Sequence, residues 1–221
     1  VTTDANGEAS VTWTLGTSAG SQTLEASASG IGTVTFDATA TPGALAGFAI
    51  ETIPATTAGD PISVTVTAED QYSNTITSYN SSPAVALVSG TASQGPSLGA
   101  FSGGEATLSA TLVVAGDYEL TVTDNSVSTT SNAFSIEPAA ADQLQIVSGN
   151  NQTGEVAQAL SDPLVIEVLD QYDNPVPGVS VSVVPGPNDG TTSASSVTTD
   201  ANGEASVTWT LGTSAGSQTL E

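Results

Sequence analysis

The sequence predicts an all-β protein made of tandem β-sandwiches. Three observations carry that prediction. Apolar and polar residues alternate in short runs, the period-two pattern of half-buried strands. Gly, Pro, Asn and Asp separate the runs, and no helical periodicity competes with them. Residues 1–25 and 197–221 are the same string, VTTDANGEASVTWTLGTSAGSQTLE, at an offset of 197 − 1 = 196 residues. Identity over so long a period is the signature of a tandem array.

The elements follow in order. Ala9, Val11, Trp13 and Leu15 point one way while Ser10, Thr12 and Thr14 point the other. This run predicts a half-buried strand with Trp13, and its copy Trp209, in the core. Further strands are expected at 23–28 and 33–38, and Thr41-Pro42-Gly43 closes the block. A second block has strands at 47–53, 62–68, 84–88, 106–112, 118–123 and 133–136, with buried rows Ile62/Val64/Val66/Ala68, Ala106/Leu108/Ala110/Leu112 and Tyr118/Leu120/Val122. Glu137-Pro138 ends it. A third block has strands at 143–148, 164–169, 179–184, 204–211 and 218–221. About seven strands in about 98 residues, half of the 196-residue period, suit a sandwich. The expected organisation is the C-terminal part of one domain (1–43), a complete domain (44–138) and a domain lacking its last strand (139–221). Two alternating domain types then make one repeat. Thr33, Val34, Phe36 and Ala38 belong to the strand type that would complete the third block.

Composition excludes much. The chain has no Lys, Arg, His or Cys against 23 Asp plus Glu, a formal net charge of −23. Nucleic-acid binding needs cations to displace counterions, and anionic lipid surfaces attract basic segments, so neither is an expected partner. No apolar run reaches the roughly 18 residues of a membrane span. General acid–base and nucleophilic catalysis would have to run on carboxylates and hydroxyls alone. The acids are scattered at turns rather than paired across a cleft as a glycosidase requires, so no enzyme is expected. Disulfides are impossible. A chain without Lys or Arg also offers no trypsin-type cleavage site, which favours an extracellular setting.

Two segments share a signature. Asp70-Gln71-Tyr72-Ser73-Asn74 ends one expected strand, and Asp170-Gln171-Tyr172-Asp173-Asn174 ends its counterpart 100 residues later. Two readings stay open. One is a turn in which Asp and Asn bond their own backbone while Tyr packs across the sandwich end. The other is a calcium loop, since calcium takes six to eight oxygen ligands and this chain offers little else. The calcium candidates are Asp70, Asn74, Asp170, Asp173, Asn174 and Asp200. No EF-hand loop is present, and Asp200-Ala201-Asn202-Gly203 also reads as a turn with Gly203 at positive φ.

The stretch Asp170-Gln-Tyr-Asp-Asn-Pro-Val176-Pro-Gly178-Val-Ser-Val181, then Thr199-Asp200-Ala-Asn-Gly203-Glu-Ala205, then Leu211-Gly-Thr-Ser-Ala-Gly216, resembles the bacterial Ig-like domains of the invasin and intimin group. The closing strand of that pattern is matched by Ala38-Thr39-Ala40-Thr41-Pro42-Gly43. Block 44–138, with Ala58-Gly59-Asp60 and Ala115-Gly116-Asp117-Tyr118, looks like the Ig-like repeats of very large bacterial surface proteins. The resemblance implies extracellular Ig-like sandwiches strung end to end as an adhesin stalk or filament at the bacterial cell surface. Neighbouring repeats or protomers would be the partners, and recognition would belong to a distal tip. Two alternatives stand beside it: a binding module for a glycan or receptor, and a fibre of short chains in which the 33–38 strand of one completes the sandwich of the next.

Charge adds an expectation about assembly. Residues 1–196 carry 23 − 3 = 20 acids over a repeat of about 80 Å, taking strands of about ten residues at 3.3–3.4 Å each plus loops. Neighbouring charges then lie within the Debye length of about 8 Å. The filament should be extended and self-repelling, and close bundling should need divalent cations or acid.

Overall fold

The computed structural model describes residues 1–88 and 94–221. Every regular element among them is a strand. Two strands, β1 (Gly20–Ala28) and β2 (Gly32–Ala40), form a nine-pair antiparallel hairpin. Ten follow in residues 44–138: β3 (Gly47–Ile50), β4 (Thr56–Thr57), β5 (Pro61–Glu69), β6 (Ala84–Leu87), β7 (Gln94–Leu98), β8 (Glu105–Thr111), β9 (Gly116–Tyr118), β10 (Leu120–Asp124), β11 (Val127–Thr130) and β12 (Phe134–Glu137). Seven more are β13 (Ala141–Ser148), β14 (Leu164–Asp170), β15 (Ser180–Ser182), β16 (Thr191–Thr192), β17 (Ser196–Thr198), β18 (Glu204–Val207) and β19 (Trp209–Thr210).

Residues 44–138 close into a sandwich. One sheet has the order β3-β5-β8-β7; facing it are the ladders β11-β10-β6 and β4-β12-β9. Alternation decides which face is inside. Along β5, Ile62, Val64, Val66 and Ala68 are buried, and opposite them on β8 Ala106, Leu108 and Ala110 are buried too. Tyr118, Leu120, Val122, Phe134 and Ile136 cover this row from the other sheet, and all join one apolar cluster. The facing sheet splits because a hydroxyl interrupts the ladder. Ser131, itself buried, accepts a hydrogen bond from Leu120 N at 3.0 Å through its Oγ, while its N–H donates to Leu120 O at 2.8 Å. Phe48, Tyr79 and Phe101 pack around one end, with Tyr79 edge-on to both rings at 5.8 and 4.7 Å, a favoured aromatic geometry.

Residues 139–221 use the same plan with a thinner core. The sheet β13-β14-β18 is extended by β16, which pairs with β19 where the β18 strand continues, and β15-β17 is a separate ladder. Val168, Val183, Ala205, Val207 and Trp209 are buried, and Trp209 Nε1 donates to Asp189 O at 2.7 Å.

The duplicated string separates local from tertiary causes. In the second copy, β18 pairs with β14, placing Ala205 opposite Ile166 and Val207 opposite Leu164. In the first copy the expected strand through Ala9, Val11, Trp13 and Leu15 does not form. Val11 is 69% exposed where Val207 is 5% exposed. The alternation is real, but a strand needs a neighbour, and among the described residues none takes the place of β14 beside residues 9–15. Features that close within a few residues survive in both copies. Asp4 Oδ1 accepts from Asn6 N and Glu8 N, as Asp200 Oδ1 does from Asn202 N and Glu204 N. Gln22 Oε1 takes Gly16 N at 2.7 Å, and Gln218 Oε1 takes Gly212 N at the same distance. The expected strand at 218–221 reduces to a single bridge between Leu220 and Pro185.

Trp209→Ala is therefore expected to lower the unfolding free energy by about 3 kcal/mol. Trp13→Ala, at a half-buried site without a strand, should cost about 1 kcal/mol or less. Urea unfolding of the two variants measures the difference.

Candidate functional site

The two Asp-Gln-Tyr segments form the same object twice, a clasp between consecutive structural units. Each begins where a central strand ends, β5 at Glu69 and β14 at Asp170. The chain turns with Ser73 and Asp173 in the left-handed region, φ 62° and 63°. The Asp carboxylate then acts as a hub. Asp70 Oδ1 accepts from Tyr72 N (2.8 Å) and Asn74 N (3.0 Å), and Oδ2 accepts from Gly43 N in the preceding linker (2.8 Å). Asp170 Oδ1 accepts from Tyr172 N (2.8 Å) and Asn174 N (2.9 Å), and Oδ2 from Ala139 N (2.8 Å).

Asn extends the hub across the junction. Asn74 Nδ2 donates to Asp70 Oδ2 (2.9 Å) and Thr17 O (2.8 Å), while its Oδ1 accepts from Ala19 N (2.7 Å). Asn174 Nδ2 donates to Asp170 Oδ2 (2.8 Å) and Val113 O (2.7 Å), and its Oδ1 accepts from Ala115 N (2.8 Å). One amide thus reads a C=O and an N–H two residues apart, as a neighbouring strand would. Only Asn and Gln carry both a donor and an acceptor in one planar group, and the shorter Asn holds the grip against its own turn. With no side-chain cation in the chain, amide-to-backbone bonding is the available way to join two acidic units.

Tyr172 adds an apolar contact at one junction. It packs on the core cluster of the 44–138 sandwich, lying over Gly59, whose φ of +90° and lack of a Cβ make the room. Tyr72 has no such seat and is 56% exposed.

The remaining sequence candidates lie apart. Asp173 Oδ1 accepts only a long contact from Gln143 Nε2 at 3.4 Å. Asp200 belongs to its own turn, with Gly203 at φ 74°. Among the described residues no three acidic side chains converge closely enough to hold a metal ion. Thr33, Val34, Phe36 and Ala38 lie on β2, where Phe36 is opposite Leu24 and Val34 opposite Ala26. Val34 and Phe36 are 61% and 55% exposed. Sequence reasoning had no view of the receiving groups, Thr17 O, Ala19 N, Val113 O and Ala115 N, because they are backbone. Their one signal is Ala-Gly, at Ala19-Gly20 and Ala115-Gly116, whose glycines adopt φ +119° and +147°.

Electrostatics agree with the geometry. The hydrogen bond from Gly43 N, then that from the Asn74 amide, holds the Asp70 carboxyl far below its ordinary value. At Asp170 burial pushes upward, but the hydrogen bonds from Asn174, Ala139 and Tyr172 together outweigh it and the net direction is down.

No protein-family model matches the chain, and no curated protein sequence matches it. Solved structures do. FdeC, an Escherichia coli adhesin, is similar at 22% identity and a TM-score of 0.49, over 92% of this chain and 69% of that one. InvD of Yersinia pseudotuberculosis is similar at 20% identity and a TM-score of 0.47, over 94% of this chain and 66% of that one. The Yersinia pseudotuberculosis adhesin InvE is similar at 20% identity and a TM-score of 0.39 over 75% of this chain, which spans about half (51%) of InvE.

Two outcomes follow from the clasps. Asn174→Ala should cost about 1 kcal/mol by leaving the half-buried Val113 O and Ala115 N without their partner, and Asn174→Asp more, since it sets a second carboxylate against Asp170. Thermal unfolding of the two variants checks the order. The clasp carboxyls also set an acid limit. Their folded-state pKa values lie below those of the unfolded chain, about 3.9, so the unfolded state binds more protons between the two values. The stability they contribute is complete above about pH 4 and is lost as pH falls through the folded-state values. Asp170→Asn, which sets an NH2 group against N–H donors, should lower the neutral plateau of a stability–pH curve and flatten its acid limb.

Proposed function

We propose that this chain is a structural, non-catalytic repeat of a long extracellular bacterial filament or adhesin stalk. One observation carries the reading: two clasps, 100 residues apart in sequence, tie each unit to the one before it through the same pattern of two backbone groups of the preceding unit and one linker N–H. A sandwich that meets its neighbour through a flexible linker needs no such device. One that must transmit length does.

The composition supports the same reading. Absence of Lys and Arg removes trypsin-type cleavage sites, and uniform negative charge keeps a filament apart from its copies. The Asp70 and Asp170 oxygens already receive N–H donors, so these positions serve here as junction hubs, and a calcium ion would have to displace the bonds that join the units.

The test is a series of chains carrying increasing numbers of the 196-residue repeat, studied by small-angle X-ray scattering in neutral buffer with chelator. The maximum dimension should grow in proportion to repeat number, and Asn74→Ala with Asn174→Ala should shorten it. Dimensions growing only as about the square root of repeat number, or unchanged by the two substitutions, would sink the stalk reading.

A further inference from the structure

Residues 44–138 have chain on both sides, and it enters and leaves this sandwich at opposite ends. It enters beside the end of β5, where Gly47 pairs with Glu69 and Gly43 N reaches Asp70. It leaves beside the start of β5, where Ala58 N donates to Glu137 O at 2.8 Å and Ala139 N reaches Asp170. Tension along the chain therefore pulls the first strands one way and β12 the other.

These two oppositely loaded segments are neighbours. β4 and β12 pair in parallel, Thr56 beside Ile136 and Thr57 beside Glu137. Every other ladder among the described residues is antiparallel. Upstream the contact continues through a side chain. Asn132 Oδ1 accepts from Ile53 N at 2.9 Å, and Asn132 Nδ2 donates to Ile53 O at 2.9 Å. One amide thus adds a rung by gripping both backbone groups of a single residue. Ile53, Ala58, Phe134 and Ile136 are buried along this seam, which limits the access of water to the rungs. Both segments run from the entry end to the exit end, so opposite pulls slide one along the other. Sliding strains all the rungs at once, whereas opening from one end would break them in turn.

We propose that residues 53–58 and 132–137 form a shear clamp through which the 44–138 sandwich bears tension along the chain. When a junction opens, the load passes through its linker to β3, which four pairs hold on β5, and then to the clamp. This function goes beyond the end-to-end reading. Stiff junctions set the length of a stalk, and the clamp sets the load at which one of its units unfolds.

Constant-force unfolding of the 221-residue chain in an optical trap tests this. The chain has no Cys, so introduced pairs carry the handles. Ala44→Cys with Ala140→Cys, both at exposed positions, loads the clamp in shear. Asp60→Cys with Ala140→Cys, also exposed, puts both handles at the exit end and peels the same rungs from Ala58 onward. At equal force the shear pair should hold about ten-fold longer or more, because several hydrogen bonds break together. Release of the 140 − 44 = 96 residues between its handles, a step of about 300 Å, identifies the sandwich. Asn132→Ala removes both Ile53 bonds and should shorten the shear lifetime about ten-fold. Val122→Ala, a cavity on β10 outside the clamp, should lower the melting temperature at least as much. It should change the shear lifetime less than about two-fold, because contacts intact at the barrier do not enter the unfolding rate. Equal lifetimes for the two handle pairs overturn the proposal. So does a shear lifetime that Asn132→Ala leaves unchanged, or one that Val122→Ala shortens as much. None of these results touches the stalk reading, which stands or falls on the scattering of longer arrays.

Discussion

Strand pairing across long sequence separations is the constraint on which the rest of this molecule depends. A β-strand satisfies its backbone only against a neighbour, and its apolar face only against a second sheet. The duplicated 25-residue string isolates the effect, since sequence is constant and context is not. Beside β14 the string makes β18 and β19 and buries Trp209; in the first copy residues 9–15 make no strand, while residues 20–25 pair with β2. Side-chain alternation is thus permission to form a strand, and the partner decides.

The same constraint explains how units are joined. Each sandwich has strand ends whose backbone groups need partners, and the chain lacks the side chains that commonly bridge surfaces: there is no cation and no thiol. Asn74 and Asn174 solve this by imitating a strand edge, giving an N–H and a C=O to backbone groups of the preceding unit. Asp70 and Asp170 hold those amides in place and take the linker N–H as well. Linker, turn and preceding unit therefore converge on one carboxylate, so movement at the junction breaks several hydrogen bonds together rather than one.

Much of this was legible in the sequence. The rows Ile62 to Ala68 and Ala106 to Leu112 are buried as their alternation predicts, because both faces of that sandwich are complete within the chain. The Asp200 turn and Gly203 were legible because they close within five residues. The failures have separate physical causes. Ala9 to Leu15 has the right pattern and no partner. The short strands β4, β7, β11, β16 and β17 carry too few alternating residues to announce themselves. The Asp-Gln-Tyr segments were visible as a recurring turn, but their grip on the preceding unit was not, since the receiving groups are main-chain atoms and main chain has no letter.

The two junctions are nonetheless unequal, and the difference comes from a single Cβ. Gly59 N donates to Leu112 O, and Ala157 N donates to Gly212 O, so the two residues hold equivalent places in their sandwiches. Both sit at positive φ, +90° and +59°. At Gly59 the missing Cβ leaves space that the Tyr172 ring fills. In the proposed array, the unit preceding Tyr72 presents Ala157 instead, and its methyl group occupies that space. Polar clasps then recur at every junction, while the aromatic plug is confined to every second one. A filament built this way alternates a junction fixed by hydrogen bonds and packing with one fixed by hydrogen bonds alone. Under bending or tension the second kind yields first, and it does so at intervals of one 196-residue repeat.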